Sequence, residues 1–134
     1  MFDVLDMGAS ALTAQRIRMD TIAGNIANAN TLRDSDGKPN PYRRRFVVFA
    51  PGEADGSTKP GVHVKSVQLD QSPLPKRFDP GNPDADKSGY VSYPNVDLAV
   101  EFVNALEASR AYEANVTMMD TAKSMFNSSL RLLA

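Results

Sequence analysis

The chain has no cysteine, no tryptophan and a single histidine. Without cysteine there is no disulfide, no thiol nucleophile and no thiolate metal site, and one histidine, His63, cannot build a His-cluster zinc site or most His-based acid–base machinery. Charge of one sign is also missing. Fifteen Lys and Arg face sixteen Asp and Glu, a formal charge of −1, so no bulk positive charge is available to neutralise phosphates, and nucleic acid is excluded as a partner. No run of about 18 apolar residues is present to cross a membrane. The start, Met1-Phe2-Asp3-Val4-Leu5-Asp6, carries acids where a secretory leader carries Lys or Arg, so export by a cleavable signal is not expected. At 134 residues the chain fits one modest domain.

Proline is missing from both ends. All nine prolines lie between Pro39 and Pro94, and six of the eight glycines lie between Gly37 and Gly89. Proline costs roughly 3 kcal/mol inside a helix, so the chain reads as helix, irregular middle, helix: residues 1–31, 32–94 and 95–134, an α+β fold. In the first segment Phe2, Leu5, Ala9, Leu12, Arg16, Met19, Ala23 and Ile26 recur at alternating spacings of three and four, a coiled-coil seam broken only by Arg16. Asp3 and Asp6 suit the positive end of that helix, and Asn28 and Asn30 supply residues that tolerate a left-handed stop near residue 28. In the last segment Leu98, Phe102, Ala105, Ser109, Tyr112, Val116, Met119, Lys123, Phe126, Leu130 and Leu133 form one seam. A second, Ala108, Ala111, Asn115, Met118, Ala122, Met125, Ser129 and Leu132, lies roughly 100° around the helix. Asn95 is the expected N-cap and Asp97 a first-turn acid of a helix spanning about 96–132.

The middle reads as strands and turns. Residues 43–49 form one strand, closed by Pro51-Gly52. Val62 and Val64 alternate, then Val67 and Leu69 resume out of phase, which predicts a bulge or bend. Five prolines from Pro73 to Pro94 imply an extended connector rather than sheet core.

Few motifs carry chemistry. Asp34-Ser35-Asp36-Gly37-Lys38 fails as a calcium loop, because Lys38 stands where a ligand oxygen belongs and Pro39 where the sharp-turn glycine belongs; it reads as a solvated turn. Arg43-Arg44-Arg45 reads as a solvated or partner-facing strand edge, and His63, between two valines, as a structural side chain. The sequons at Asn115 and Asn127 fall inside the second helix. Met118, Met119 and Met125 suit irregular packing surfaces. No side chain has an identifiable base, orienting partner or phosphate-cradling loop, so catalytic, metal and cofactor sites are all expected to be absent. Both helices exceed the usual length of about 11–12 residues, and the second has apolar residues on two faces. Two readings stay open: a self-contained helical hairpin with a β insertion, or helices that find cover on neighbouring chains.

Residues 10–31, SALTAQRIRMDTIAGNIANANT, resemble the N-terminal signature of bacterial flagellar rod and hook proteins, and residues 107–116, EASRAYEANV, resemble their shared C-terminal signature. Phe78-Asp79-Pro80-Gly81-Asn82-Pro83-Asp84-Ala85-Asp86, with Gly89-Tyr90-Val91 and Tyr93-Pro94-Asn95-Val96, is similar to the proximal rod members, although Asn82 stands where their pattern has histidine. The resemblance implies a structural subunit exported through the flagellum's own type III apparatus. Its ends would be disordered before assembly and then packed as the inner helical wall of a hollow shaft crossing the periplasm. Implied partners are copies of itself, other rod proteins, the export apparatus and basal-body ring components, with no nucleic acid and no small-molecule substrate. Leu5, Leu12, Met19, Ile26, Leu98, Phe102, Tyr112, Val116, Met119, Phe126 and Leu130 are then candidates for helical packing and assembly. Asn25, Asn28 and Asn30 become candidates for capping and interface hydrogen bonds, and Arg110 for setting register between subunits. The alternative is a soluble helical adaptor or export chaperone for flagellar axial proteins.

Overall fold

The computed structural model describes residues 2–134; Met1, with which the first expected segment begins, lies outside them. The architecture is α+β. Helix α1 spans Phe2–Ala27 and helix α2 Leu98–Leu133. Between them lie strands β1 (Arg45–Pro51), β2 (Val62–Leu69), β3 (Lys76–Phe78) and β4 (Tyr90–Ser92), paired antiparallel as β1–β2 and β3–β4.

The two helices run antiparallel. Gly8 lies against Met119, Arg18 pairs with Glu107 and Asn25 reaches Glu101, so residue numbers across the contact rise on one helix as they fall on the other. The buried side of α1 is not the expected seam. Its fully buried residues are Gly8, Ala14, Ile22 and Asn25, while Leu5, Leu12, Met19 and Ile26 are half-buried. The reason is that α1 packs on α2 with one side and on β1 and β2 with another, and small residues let it approach both. On α2 the covered stripe runs through Glu101, Ala108, Asn115 and Ala122, seven residues apart. From Ala108 onward this is the second, small-residue seam. The bulkier seam is divided: Leu98, Phe102, Val116, Phe126 and Leu130 are exposed, while Tyr112 and Met119 are half-buried, Met119 against Gly8.

Both helix ends differ from expectation. No non-glycine residue has a positive φ among the described residues, so Asn28 and Asn30 are not left-handed stops. Asn28 instead donates from Nδ2 to the Gly24 carbonyl (2.8 Å) and accepts from Thr31 Oγ1 (3.1 Å), covering a terminal carbonyl of α1 with a side chain. At α2 the N-cap is Asp97, whose carboxylate accepts from Ala99 N and Val100 N. Asp97→Ala is therefore expected to cost about 1 kcal/mol in a urea titration followed by helical circular dichroism. Asn95 is drawn away to the middle segment, accepting from Arg44 N (2.7 Å) and donating to the Asp70 and Ser72 carbonyls.

Pairing of β1 with β2 slips between Val48, opposite Ser66, and Phe49, opposite Val64. Lys65 is the extra residue, a bulge placed where the apolar alternation changes phase. The stretch from Pro73 to Pro94 is not merely a connector. Phe78 and Tyr90 stack edge-on at 5.3 Å across β3–β4, and Val91 is buried. Short strands with prolines outside the ladder are compatible with this composition. Asp34 Oδ1 accepts from Asp36 N and Lys38 N in a closed turn, and Asn82 serves a similar turn by accepting from Asp84 N.

Candidate assembly surface

Three chain segments meet at one buried polar cluster. Asn25, near the end of α1, is fully buried and uses its entire hydrogen-bonding capacity. Its Nδ2 donates to the Arg45 carbonyl (2.8 Å) and to Glu101 Oε2 (3.2 Å), and its Oδ1 accepts from Arg45 N (2.9 Å) and Tyr42 Oη (3.0 Å). Glu101, in the first turn of α2 and equally buried, takes the Arg44 guanidinium on its other oxygen. Arg44 also approaches Asp70 at 3.6 Å. Asn25 is thus a clamp inside the chain and not an interface residue: no part of it reaches the surface and no lone pair is free. Arg44 likewise is not part of a solvated edge, because a buried carboxylate holds it inward. Burial raises the Tyr42 hydroxyl above its ordinary pKa, with Arg45 opposing and Glu101 reinforcing, so the phenol stays a donor to Asn25 at neutral pH.

Asp70 closes the cluster toward solvent. Hydrogen bonds from the Ser72 hydroxyl and amide, with Arg44 nearby, hold its carboxyl below the usual 3.8. A depressed acid contributes stability above its unfolded value, and that contribution is lost as pH falls through the folded one. Acid below about pH 3.8 should therefore loosen this junction, and Asp70→Asn should flatten that limb of a pH-stability curve measured by urea denaturation.

Outside the cluster α2 is poorly covered. Phe102, Val103 and Leu106 are 60%, 65% and 54% exposed, beside Leu98. Toward the far end Val116, Phe126 and Leu130 are also exposed, and Leu132 and Leu133 reach 89% and 85%. Tyr112 and Met119, from the same expected seam, are half-buried. Arg110 is exposed and forms no ion pair among the described residues, whereas its neighbour Glu107 takes Arg18 at 3.4 Å. Asn30 is exposed just past α1. His63 donates from Nδ1 to the Gly52 carbonyl (2.9 Å), inside the β1–β2 hairpin. Among the described residues no helix is long and apolar enough to cross a membrane, and no group of three acids or histidines is placed to hold a metal.

A buried polar joint at one end and a long helix with exposed apolar side chains suit an assembly subunit. Residues 5–33 match the family described as flagella basal body rod protein, and residues 87–132 match the flagellar basal body rod FlgEFG protein C-terminal family. The chain is 43% identical to the flagellar basal-body rod protein FlgC of Borreliella burgdorferi, over 99% of this chain and 97% of that one. It is 44% identical to FlgC of Escherichia coli O6:H1, over 98% and 97%, and 39% identical to FlgC of Bacillus subtilis, over the same shares. The chain belongs to the flagellar basal-body rod proteins of the FlgC type, and is a structural subunit of the rod.

Proposed function

We propose that the chain builds the proximal part of the rod, stacking with copies of itself and with other rod proteins into a hollow shaft that transmits torque and leaves an export channel open. Contacts with basal-body ring components, export through the flagellar type III apparatus, passage of the shaft across the periplasm and the absence of any catalytic role belong to the same proposal. Its main support is the uncovered stripe Leu98, Phe102, Val103 and Leu106 on a helix whose opposite side holds α1. Burial of apolar surface favours association at roughly 25 cal/mol per Å², and contiguous exposed apolar area on a folded chain marks a partner surface. In this reading Leu98, Phe102, Val116, Phe126 and Leu130 contact neighbouring subunits. Leu5, Leu12, Met19, Ile26, Tyr112 and Met119 serve the chain's own packing and offer their exposed edges.

The test replaces the rod gene of a motile host with this one. Motility is expected to be restored, and Phe102→Asp with Leu106→Asp should remove the protein from purified basal bodies while leaving its helical circular dichroism unchanged. A chain absent from basal bodies in its unaltered form, or present only as a soluble complex with other axial proteins, would favour the adaptor reading.

Arg110, which forms no ion pair among the described residues, is assigned to register between subunits. Arg110→Glu should reduce swimming while leaving helical circular dichroism unchanged, and undiminished swimming would reduce Arg110 to a local helix pair worth about 0.2–0.5 kcal/mol.

A further inference from the structure

The last turns of α2 have no counterpart on α1. Gly8 opposite Met119 and Arg18 opposite Glu107 set the antiparallel register, which brings Phe2 level with residue 124 or 125. Residues from about 126 onward extend past the described part of α1, roughly 12 Å of helix. This overhang carries Leu132 and Leu133, the most exposed large apolar side chains among the described residues. From Thr121 to Ala134 the charged side chains are Lys123, just before the overhang, and Arg131 within it, with no Asp or Glu.

A groove of about 590 Å³ lies elsewhere on the same chain, between the first half of α1 and the β1–β2 hairpin. Ala9, Thr13 and Ile17 line it from the helix, and Val62 and Val64 from β2. Its rim is acidic, with Asp6 on α1 and Glu53 and Asp55 on the hairpin loop. The Ser57 amide holds the Asp55 carboxyl below its ordinary value. Lys59 is the nearby cation, and His63 is held to the Gly52 carbonyl. The helix turns from Asp6 to Ile17 span about 17 Å, enough to receive the overhang lengthwise.

We propose that the α2 overhang of a second copy of this chain docks in the groove, its leucines on the apolar floor and Arg131, with Lys123 just before the overhang, against the acidic rim. The inference rests on the rod reading and specifies one of its contacts. The overhang cannot reach its own groove, because α2 is a continuous helix that carries it past Phe2, away from the groove. Groove and overhang are different surfaces, so the contact is head-to-tail. Such contacts repeat without closing on a dimer, which is how a ring or a helical filament grows. Opposite charge fixes orientation and speeds encounter, while the apolar floor supplies the adhesion.

The cysteine-free sequence makes the test direct. Purified full-length chains carrying Ala9→Cys and Leu132→Cys are mixed under mild oxidation and the disulfide-linked species are followed over time. Docking raises the local thiol concentration, so the mixed pair should form about tenfold faster than either like pair and than Leu132→Cys with Ser35→Cys. Thr13→Cys provides a second groove probe should Ala9→Cys perturb the helix. Asp6→Lys with Glu53→Lys should bring the mixed rate down to that control, and Lys123→Glu with Arg131→Glu on the other chain should bring it back. Bridging of both groove probes at the control rate, or faster bridging of like pairs, overturns the proposal. Entry into basal bodies is scored separately. A chain that restores motility without preferential bridging loses this contact and keeps its place in the rod, and one that bridges preferentially but never enters basal bodies does the reverse.

Discussion

Arg44→Ala is expected to cost about 3–5 kcal/mol of unfolding free energy, because it strands a buried carboxylate. Glu101 has no exposed surface, and its two oxygens are divided between Asn25 and Arg44. With the guanidinium gone, the carboxylate must stay charged without compensation, take up a proton or drag α2 toward water, and each route weakens the joint between the helices and the middle segment. Adding Glu101→Gln should recover more than half of the loss, since a neutral amide still accepts from Asn25 and no longer needs a cation. Arg44→Lys should be only a partial substitute: the guanidinium addresses Glu101 through Nε and Asp70 through a terminal nitrogen, and a single ammonium cannot span both. Urea denaturation followed by circular dichroism measures all four chains. A loss below about 1 kcal/mol for Arg44→Ala would place this pair with ordinary surface ion pairs and remove the clamp from the account.

Gly8→Leu should be the most damaging change at the helix–helix contact, at about 1–3 kcal/mol or more from overpacking. A Cβ at Gly8 would fall 2.6 Å from Met119 Cγ and 2.9 Å from its Sδ. The methionine must rotate away or the helices must part. Gly8→Ala sets a smaller clash against a helix-propensity gain of about 1 kcal/mol, so its net effect is modest. The pair Gly8→Ala with Met119→Ala discriminates: if the glycine exists to admit the methionine, the two changes couple, and the double variant is more stable than the sum of the singles predicts. Additive effects would mean that the close approach is not what holds the helices together. Both measurements read the folded chain itself and do not depend on assembly.

Several features were legible from local pattern. Proline-free ends gave the helices, because a proline inside either would have broken it. The phase change between Val64 and Val67 signalled the bulge that the strand register places at Lys65, since alternation in a strand has no tolerance for an insertion. The apolar surplus on α2 was visible as two seams on one helix. The clamp was not legible. Asn25, Arg44 and Glu101 are far apart in sequence, and each has an ordinary local role: a polar residue near a helix end, one of three adjacent arginines, a first-turn acid. One signal was available. Extending the Ala108 seam back by a heptad arrives at Glu101, and an acid on a stripe of small residues needs a buried partner.

The sequence by itself determined which segments are helical, where the sheet bulges and that more apolar surface exists than one helix contact can cover, because these follow from periodicity and backbone chemistry within a few residues. Only the tertiary structure decided which face of α1 turns inward, which arginine goes to Glu101 and which leucines are left in water. Those outcomes depend on how closely two helices and a hairpin can approach. Gly8 and Ala14 let the backbones come near, and bulkier side chains such as Phe102, Leu106 and Leu130 are left facing outward.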